Sequence, residues 1–188
     1  MSLGAHLQAF LKDPKGVAAL TPTSRASIDR IISRAPVPRA GLVVEFGPGS
    51  GVLTRALLDR MRPEAHLVAI EANADLAARL TERDGDPRLT VVHDSAERVC
   101  QILSEMGLGP ADCVFSGIPF FWLDSEAALG IVASTHEALA ADGTFVTYQT
   151  IYQPRGRLRI HLERCFRTVR SELDFRNLPP HRICEAVK

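Results

Sequence analysis

The run Val43-Val44-Glu45-Phe46-Gly47-Pro48-Gly49-Ser50-Gly51-Val52 places three alternating glycines directly after a short apolar stretch. Glycine tolerates positive φ and lets a ligand approach bare backbone, so a strand that runs into such a turn and then into a helix can cradle a cofactor. The dinucleotide fingerprint would need glycine at position 52, where Val52 stands, and Pro48 removes one backbone N–H from the loop. No Gly-Lys-Ser/Thr phosphate loop occurs in the chain. These features suit a cofactor without a diphosphate better than NAD or ATP. A glycine turn alone also serves as plain structure, so the argument needs further elements.

Glu71 closes the next apolar run, where a carboxylate can accept hydrogen bonds from both hydroxyls of a ribose. A solvated strand-end charge is the plainer alternative. Val91-Val92-His93-Asp94-Ser95 ends a third run with a carboxylate that could take an adenine amino group, or cap the helix that follows. A fourth run leads into Ser116-Gly117-Ile118-Pro119-Phe120, at the sheet edge where such folds bind ligands. Beyond it, Phe120-Phe121-Trp122 offers either a channel lining or core packing. Tyr148 and Tyr152 are candidate polar groups near the reacting centre or sheet-end packing residues, and Arg155, Arg157 and Arg159 form a local basic cluster or a solvated helix face.

Positioning these residues requires a regular alternation of strands and helices. The apolar runs predict strands over 42–46, 66–71, 89–92, 112–115, 144–149, 166–173 and 182–187. Helix-like stretches fall between them near 52–61, 74–83, 96–106, 125–140 and 155–163. Strand followed by helix, five times over, implies an α/β fold with a parallel sheet covered on both faces. The last two strands lack a clear intervening helix, which predicts an antiparallel strand at the edge. Ahead of the sheet, Leu3, Leu7, Phe10 and Leu11 recur at helical spacing, and Ile28, Ile31 and Ile32 follow Ser24. Residues 1–38 are therefore expected to form a helical cover, closed off by Pro36 and Pro38, and residues 39–188 the catalytic sheet of a single domain.

With 46% hydrophobic and 23% charged residues, the composition is that of a globular protein. Twenty-two basic and 22 acidic residues cancel, leaving no global field to attract nucleic acid or an anionic membrane. Cys100, Cys113, Cys165 and Cys184 lie in no zinc-ligand spacing, so reduced core thiols are expected and no metal site. No basic segment followed by an apolar stretch opens the chain, and no apolar run is long enough to span a bilayer. A cytoplasmic location is the expectation, with peripheral membrane contact and the oligomeric state left open.

The Ser116-Gly117-Ile118-Pro119 loop resembles the Asn-Ile/Leu-Pro-Tyr motif of ribosomal RNA adenine dimethylases, and more closely the Ser-Gly-Leu-Pro motif of bacterial phospholipid N-methyltransferases. Leu7-Gln8-Ala9-Phe10-Leu11 is similar to the Gln-Asn-Phe-Leu segment that closes over the cofactor in the dimethylases. Leu20-Thr21-Pro22-Thr23-Ser24-Arg25 resembles the Pro-Ser-Ser-Arg segment of the phospholipid enzymes, and Asn177-Leu178-Pro179-Pro180 matches their Asn-Leu-Pro-Pro. The resemblance covers almost the whole chain. It implies a Rossmann-like class I methyltransferase with a seven-stranded, mostly parallel sheet, one antiparallel edge strand and S-adenosylmethionine as cofactor.

The resemblance further implies that Glu45, Gly47, Gly49 and Gly51 surround the methionine part, Glu71 the ribose, and Asp94 with Ser95 the adenine. Leu11, Thr23 and Ser116 would border the pocket, and Ser116, Gly117, Pro119, Phe120 and Tyr148 would surround the transfer site. Ala9 and Gly117 stand where the dimethylase motifs carry asparagine. A carboxamide holds a planar exocyclic amine during adenine methylation, and Gly117 has none. The chain is also expected to lack the dimethylases' helical RNA-binding region. A phospholipid amine such as that of phosphatidylethanolamine is therefore preferred as acceptor. An rRNA adenine N6-dimethylase-like enzyme and a non-catalytic cofactor binder are the alternatives, and nucleic acid is not an expected partner.

Overall fold

The computed structural model describes residues 23–151 and 156–188. Leu3, Leu7, Phe10, Leu11, Tyr152 and Arg155 lie outside them, and of Arg157 only its place in a helix is described.

Five parallel strands carry the architecture: β1 (Leu42–Phe46), β2 (His66–Glu71), β3 (Leu89–His93), β4 (Ala111–Ser116) and β5 (Leu139–Thr150). Every residue of β1 is buried, because helices cover the sheet on both sides and leave no face for polar alternation. Two further strands, β6 (Thr168–Asp174) and β7 (His181–Val187), complete a sheet ordered β3-β2-β1-β4-β5-β7-β6. β7 pairs antiparallel with both β5 and β6, so the antiparallel hairpin expected at the edge is present. Its edge member is β6, and β7, the strand that runs against all the others, lies one place inside it. The order of the two could not be read from their sequences.

Among the described residues six α-helices flank the sheet: α1 (Arg25–Ile32), α2 (Val52–Leu58), α3 (Ala74–Arg83), α4 (Val99–Glu105), α5 (Ser125–Ala138) and α6 (Gly156–Cys165). Their starts follow capping chemistry. Ser24, Asn73 and Asp124 each accept backbone N–H groups of the first turn of α1, α3 and α5. One hydrophobic cluster joins Phe46, Val114, Phe120 and Phe145 to α4 and α5, and the other joins Val43, Phe115 and Val146 to α1 and α2. The expected helix at 125–140 ends at Ala138, and β5 begins at Leu139 rather than at 144. Between Leu139 and Thr144 the register against β4 shifts, with Asp142 at φ 60°; the Asp142-Gly143 turn signal hid the strand's first residues.

α1 is bound to the far edge of the sheet rather than lying loose over it. Ile28, Ile31 and Ile32 are buried, and Arg30 meets Glu172 of β6 through two hydrogen bonds of 2.7 Å. Arg34 also pairs with Glu172 and reaches Glu185 of β7. The described part of the helical cover is therefore a structural element of the carboxyl-terminal hairpin.

Candidate active site

The glycine turn forms as its residue types require. Gly47, Gly49 and Gly51 all have positive φ, at 66°, 51° and 73°. The Gly47 N–H donates to the Ile70 carbonyl at 2.9 Å, stitching the turn to β2, and Gly51 opens α2. A Cβ on Gly51 would stand 2.6 Å from Leu80 Cδ1 and 2.7 Å from Arg83 Nη2, so a side chain here would displace both ends on top of its left-handed backbone strain. Around Gly49 nothing lies within 4 Å of that position, which leaves bare backbone open at the carboxyl edge of the sheet.

Glu71 reaches this turn from the neighbouring strand. Its two carboxylate oxygens accept the Gly49 N–H at 3.1 Å and the Asn73 N–H at 3.0 Å. Only 5% exposed, it is pushed above the usual carboxylate range by burial, against the pull of these N–H donors. Such a held carboxylate is more than a solvated strand end. Glu45, deeper and fully enclosed by β1 and α2, accepts from Thr54 Oγ1 at 2.7 Å. Burial pushes its carboxyl up to about 8, with the nearby Glu71 charge adding to the shift and the Thr54 hydroxyl opposing it. Glu45 is therefore largely neutral at neutral pH.

Asp94 and Ser95 share the same edge at the end of β3 but divide the two roles considered for Asp94. Ser95 accepts from the Glu97 N–H as the cap of a short helical turn, whereas Asp94 accepts from Ser95 N–H at 2.7 Å and from Arg98 at 2.6 Å. The Asp94 carboxylate is partly buried, with Arg98 as its ion-pair partner.

The β4 loop lies against the glycine turn: the Gly117 N–H donates to the Phe46 carbonyl at 3.0 Å, and Ile118 Cγ1 would touch a Cβ on Gly47 at 3.4 Å. Ser116 is fully buried and its Oγ accepts the Ile118 N–H at 3.2 Å, so it holds the loop's shape. Gln149 fixes the same loop by donating to the Ile118 carbonyl. A Cβ on Gly117 would meet Tyr148 Oη at 2.8 Å. The tyrosine hydroxyl therefore stands where a side chain at position 117 would begin. Burial, with the Glu45 charge adding to it, holds this phenol well above its usual range, so Tyr148 stays protonated.

The aromatic run after Pro119 is split by the structure. Phe120 is 3% exposed and belongs to the core, while Phe121 and Trp122 are 39% and 42% exposed with ring centroids 4.3 Å apart. Phe120 thus supports the loop from beneath. Arg159 pairs with Glu163 within α6, which leaves the basic cluster weaker than its spacing suggested. A small, open cleft lies between the glycine turn and α1, bordered by Thr23, Ile28, Pro48, Val52, Leu53 and Tyr148.

Along 185 residues the chain is 31% identical to an ornithine lipid N-methyltransferase of Singulisphaera acidiphila, covering 97% of this chain and 95% of that one. The chain belongs to the class I S-adenosylmethionine-dependent methyltransferases. The family model for ribosomal RNA adenine dimethylase matches residues 22–97. A ribosomal RNA small subunit methyltransferase A of Bordetella pertussis is 43% identical over 74 residues, 39% of this chain and 27% of that protein. Among solved structures, the Synechocystis magnesium protoporphyrin IX methyltransferase superposes with a TM-score of 0.69 at 12% identity, covering 100% of this chain and 98% of that one. The N-methyltransferase NodS of Bradyrhizobium japonicum gives 0.68 at 10% identity, over 87% and 95%. These two share the fold.

The residues present fit the methyltransferase cofactor. Gly49 leaves a backbone cradle that a side chain would fill, and Glu71 is held at its rim by two N–H donors. Two features of this methyltransferase escaped the sequence reading. Thr54 is the partner of Glu45, and its place on the first turns of α2 was the available signal. Asn177, quoted only as part of a motif, accepts from Ser24 N–H at 2.7 Å and donates to His181 Nε2 at 3.1 Å. On the other side of that ring, Ser27 Oγ lies 3.1 Å from His181 Nδ1. Because the Asn177 amide nitrogen also donates to the Pro179 carbonyl, His181 Nε2 is the acceptor and Nδ1 carries the proton. Burial lowers the His181 pKa, in keeping with this neutral form. The network joins α1 to the β6–β7 turn and stands beside Tyr148, with ring centroids 5.7 Å apart.

Proposed function

We propose that this methyltransferase acts on the amine of a lipid headgroup, of the kind found in phosphatidylethanolamine or an amine-bearing lipid. The observation that carries the reading is the contact of Gly117 with Tyr148: a phenol occupies the place from which a carboxamide would project. A planar nucleobase amine has no carboxamide to hold it there, whereas an aliphatic amine needs only a single hydrogen-bond acceptor to turn its lone pair. The near full-length similarity to a lipid N-methyltransferase supports the same choice.

When bound, S-adenosylmethionine supplies an activated sulfonium methyl, so the protein's task is placement and exclusion of water. In the proposed reaction Glu71 holds the ribose, the backbone of Gly47 and Gly49 faces the methionine part, and Asp94 with Ser95 borders the adenine. Thr23 and Ser116 flank the pocket, with Pro119 shaping the loop. Tyr148 accepts a hydrogen bond from the amine and aims it. A phenol held above its normal range is a poor base at neutral pH, so Tyr148 orients the amine and the departing proton goes to water.

The test is transfer of a labelled methyl group to vesicles containing phosphatidylethanolamine or ornithine lipid, to ribosomal RNA, and to soluble amines. Labelled lipid with unlabelled RNA is the expected result. Labelled adenine with unlabelled lipid would reverse the assignment, and cofactor binding with no labelled product in any arm would favour a non-catalytic binder.

A further inference from the structure

Exposed large apolar side chains are not scattered over this molecule. Among the described residues they are Val52, Phe121, Trp122, Leu173, Phe175 and Leu178, together with Ile160 on α6. Val52 follows the glycine turn at the carboxyl end of β1, and Phe121 and Trp122 follow β4. Leu173 is one residue from the end of β6, and Phe175 and Leu178 lie in the turn from β6 to β7. β6 runs in the same direction as β5, because both are antiparallel to β7. All six therefore lie at the edge where the glycine turn and the Ser116–Phe120 loop open. The opposite edge, formed by the amino ends of the parallel strands, exposes no large apolar side chain among the described residues.

The β6–β7 turn is the most exposed part of this rim, with Phe175 72% and Leu178 78% exposed. It is also firmly held. Ser24 Oγ donates to the Arg176 carbonyl at 2.7 Å, Ser24 N–H to Asn177 Oδ1 at 2.7 Å, and the Arg176 N–H to Asp174 Oδ1 at 3.2 Å. A turn anchored this well could have turned its apolar side chains inward, and instead it presents them. Cations surround it: Arg176 is in the turn, Arg25 adjoins Ser24 on α1, and Arg182 is the second residue of β7. The nearest acid, Asp174, is buried and already paired with Arg176. At the other end of the rim, Asp124 is committed to capping α5.

We infer that the carboxyl edge of the sheet is a membrane-docking rim, in which Phe175 and Leu178 enter the headgroup boundary while Arg25, Arg176 and Arg182 meet lipid phosphates. Apolar side chains flanked by guanidinium groups match the layering of a bilayer surface, acyl boundary beneath and phosphate above. The rim also borders the site, so docking brings headgroups to the loop beside Tyr148 without drawing a lipid fully out of the bilayer. This inference rests on the lipid reading above and adds the surface by which the lipid is met.

Trp122 is the chain's single tryptophan and reports directly on the rim. The experiment mixes the full chain with phosphatidylcholine–phosphatidylglycerol vesicles, with and without brominated acyl chains, and follows Trp122 emission and co-sedimentation. The expected result is a blue shift, quenching by bromolipid, and a loss of vesicle affinity of about tenfold or more in Phe175→Ser/Leu178→Ser. The double variant should keep its melting temperature, its cofactor affinity and its methyl transfer to short-chain lipid below its micellar concentration. Wild-type binding without quenching, or binding unaffected by the double variant, would overturn the inference. So would concentration-dependent self-association abolished by the double variant, because the rim would then meet a second copy of the chain. Transfer to monomeric lipid separates the two proposals: if it persists while vesicles are not bound, the rim fails and the lipid reading stands. If vesicles are bound through the rim and no lipid is methylated, the lipid reading fails.

Discussion

The two halves of the sheet solve different problems. From β1 to β3 the strands are short, parallel and regularly registered, and their carboxyl ends carry the glycine turn, Glu71 and Asp94 proposed to meet the cofactor. From β4 to β7 the sheet carries a register shift, a twelve-residue strand, a reversed strand and an exposed turn. The dimethylase family model covers residues 22–97 and stops before β4, whereas the lipid N-methyltransferase relative extends along both halves. In the proposed reading the first half holds the cofactor, which does not depend on the acceptor. In the same reading the second half suits the acceptor, with Tyr148 of β5 standing beside Gly117 and the His181 network of β7 and α1 behind it.

On that division, damage to the first half should reach either the fold, through the glycine turn, or cofactor binding, through Glu71. Gly51→Val is expected to have the largest effect, a loss of about 2–4 kcal/mol in urea unfolding, because it adds a left-handed backbone penalty to a collision with Leu80 and Arg83. A fully stable variant would show that the turn is more pliable than its packing suggests. Glu71→Ala should keep the fold and weaken S-adenosylmethionine binding by about 1–3 kcal/mol in calorimetry. Unchanged affinity would remove the ribose role.

Changes in the second half should affect turnover while leaving the cofactor in place. Tyr148→Phe is expected to lower kcat by about tenfold, roughly 1.4 kcal/mol, with cofactor affinity preserved. Gly117→Ala should show a similar loss by displacing the Tyr148 hydroxyl, and combining it with Tyr148→Phe should restore stability but not turnover. Recovery of turnover in the double variant would mean that packing, not the hydroxyl, matters.

A pH dependence, read per unit of pH, sharpens the electrostatic side of the comparison. Glu45 has its folded pKa raised to about 8, so the folded state holds a proton that the unfolded chain has released. Its contribution is fully present below the unfolded value and is lost as pH rises through about 8, with a slope of up to about 1.4 kcal/mol per pH unit. Glu71, also raised, acts with the same sign. Glu45→Gln keeps an acceptor for Thr54 and should flatten this decline between pH 5 and 8 in thermal unfolding. An unchanged slope would place the charged form of Glu45 in the native protein.

Much of this structure was legible because its signals are local. Strand β1, strand β2 and helix α3 fall where periodicity places them, since burial of a whole strand or of one helix face leaves a repeat in the sequence itself. The positive φ values of Gly47, Gly49 and Gly51 follow from residue type, and the Glu71 site follows from its position at the next strand end. Strand order decided the rest. Tyr148 meets Gly117 because β5 lies beside β4, and Ser27, Asn177 and His181 meet because β7 inserts between β5 and β6 beneath α1. Phe120 goes inward and Phe121 and Trp122 outward within a single helical turn, a division that hydrophobicity cannot encode because all three residues favour burial. The sequence by itself determined the cofactor half, through backbone preferences and periodic burial. The acceptor half was decided only in the tertiary structure, where residues far apart in the chain compete for the same few ångströms.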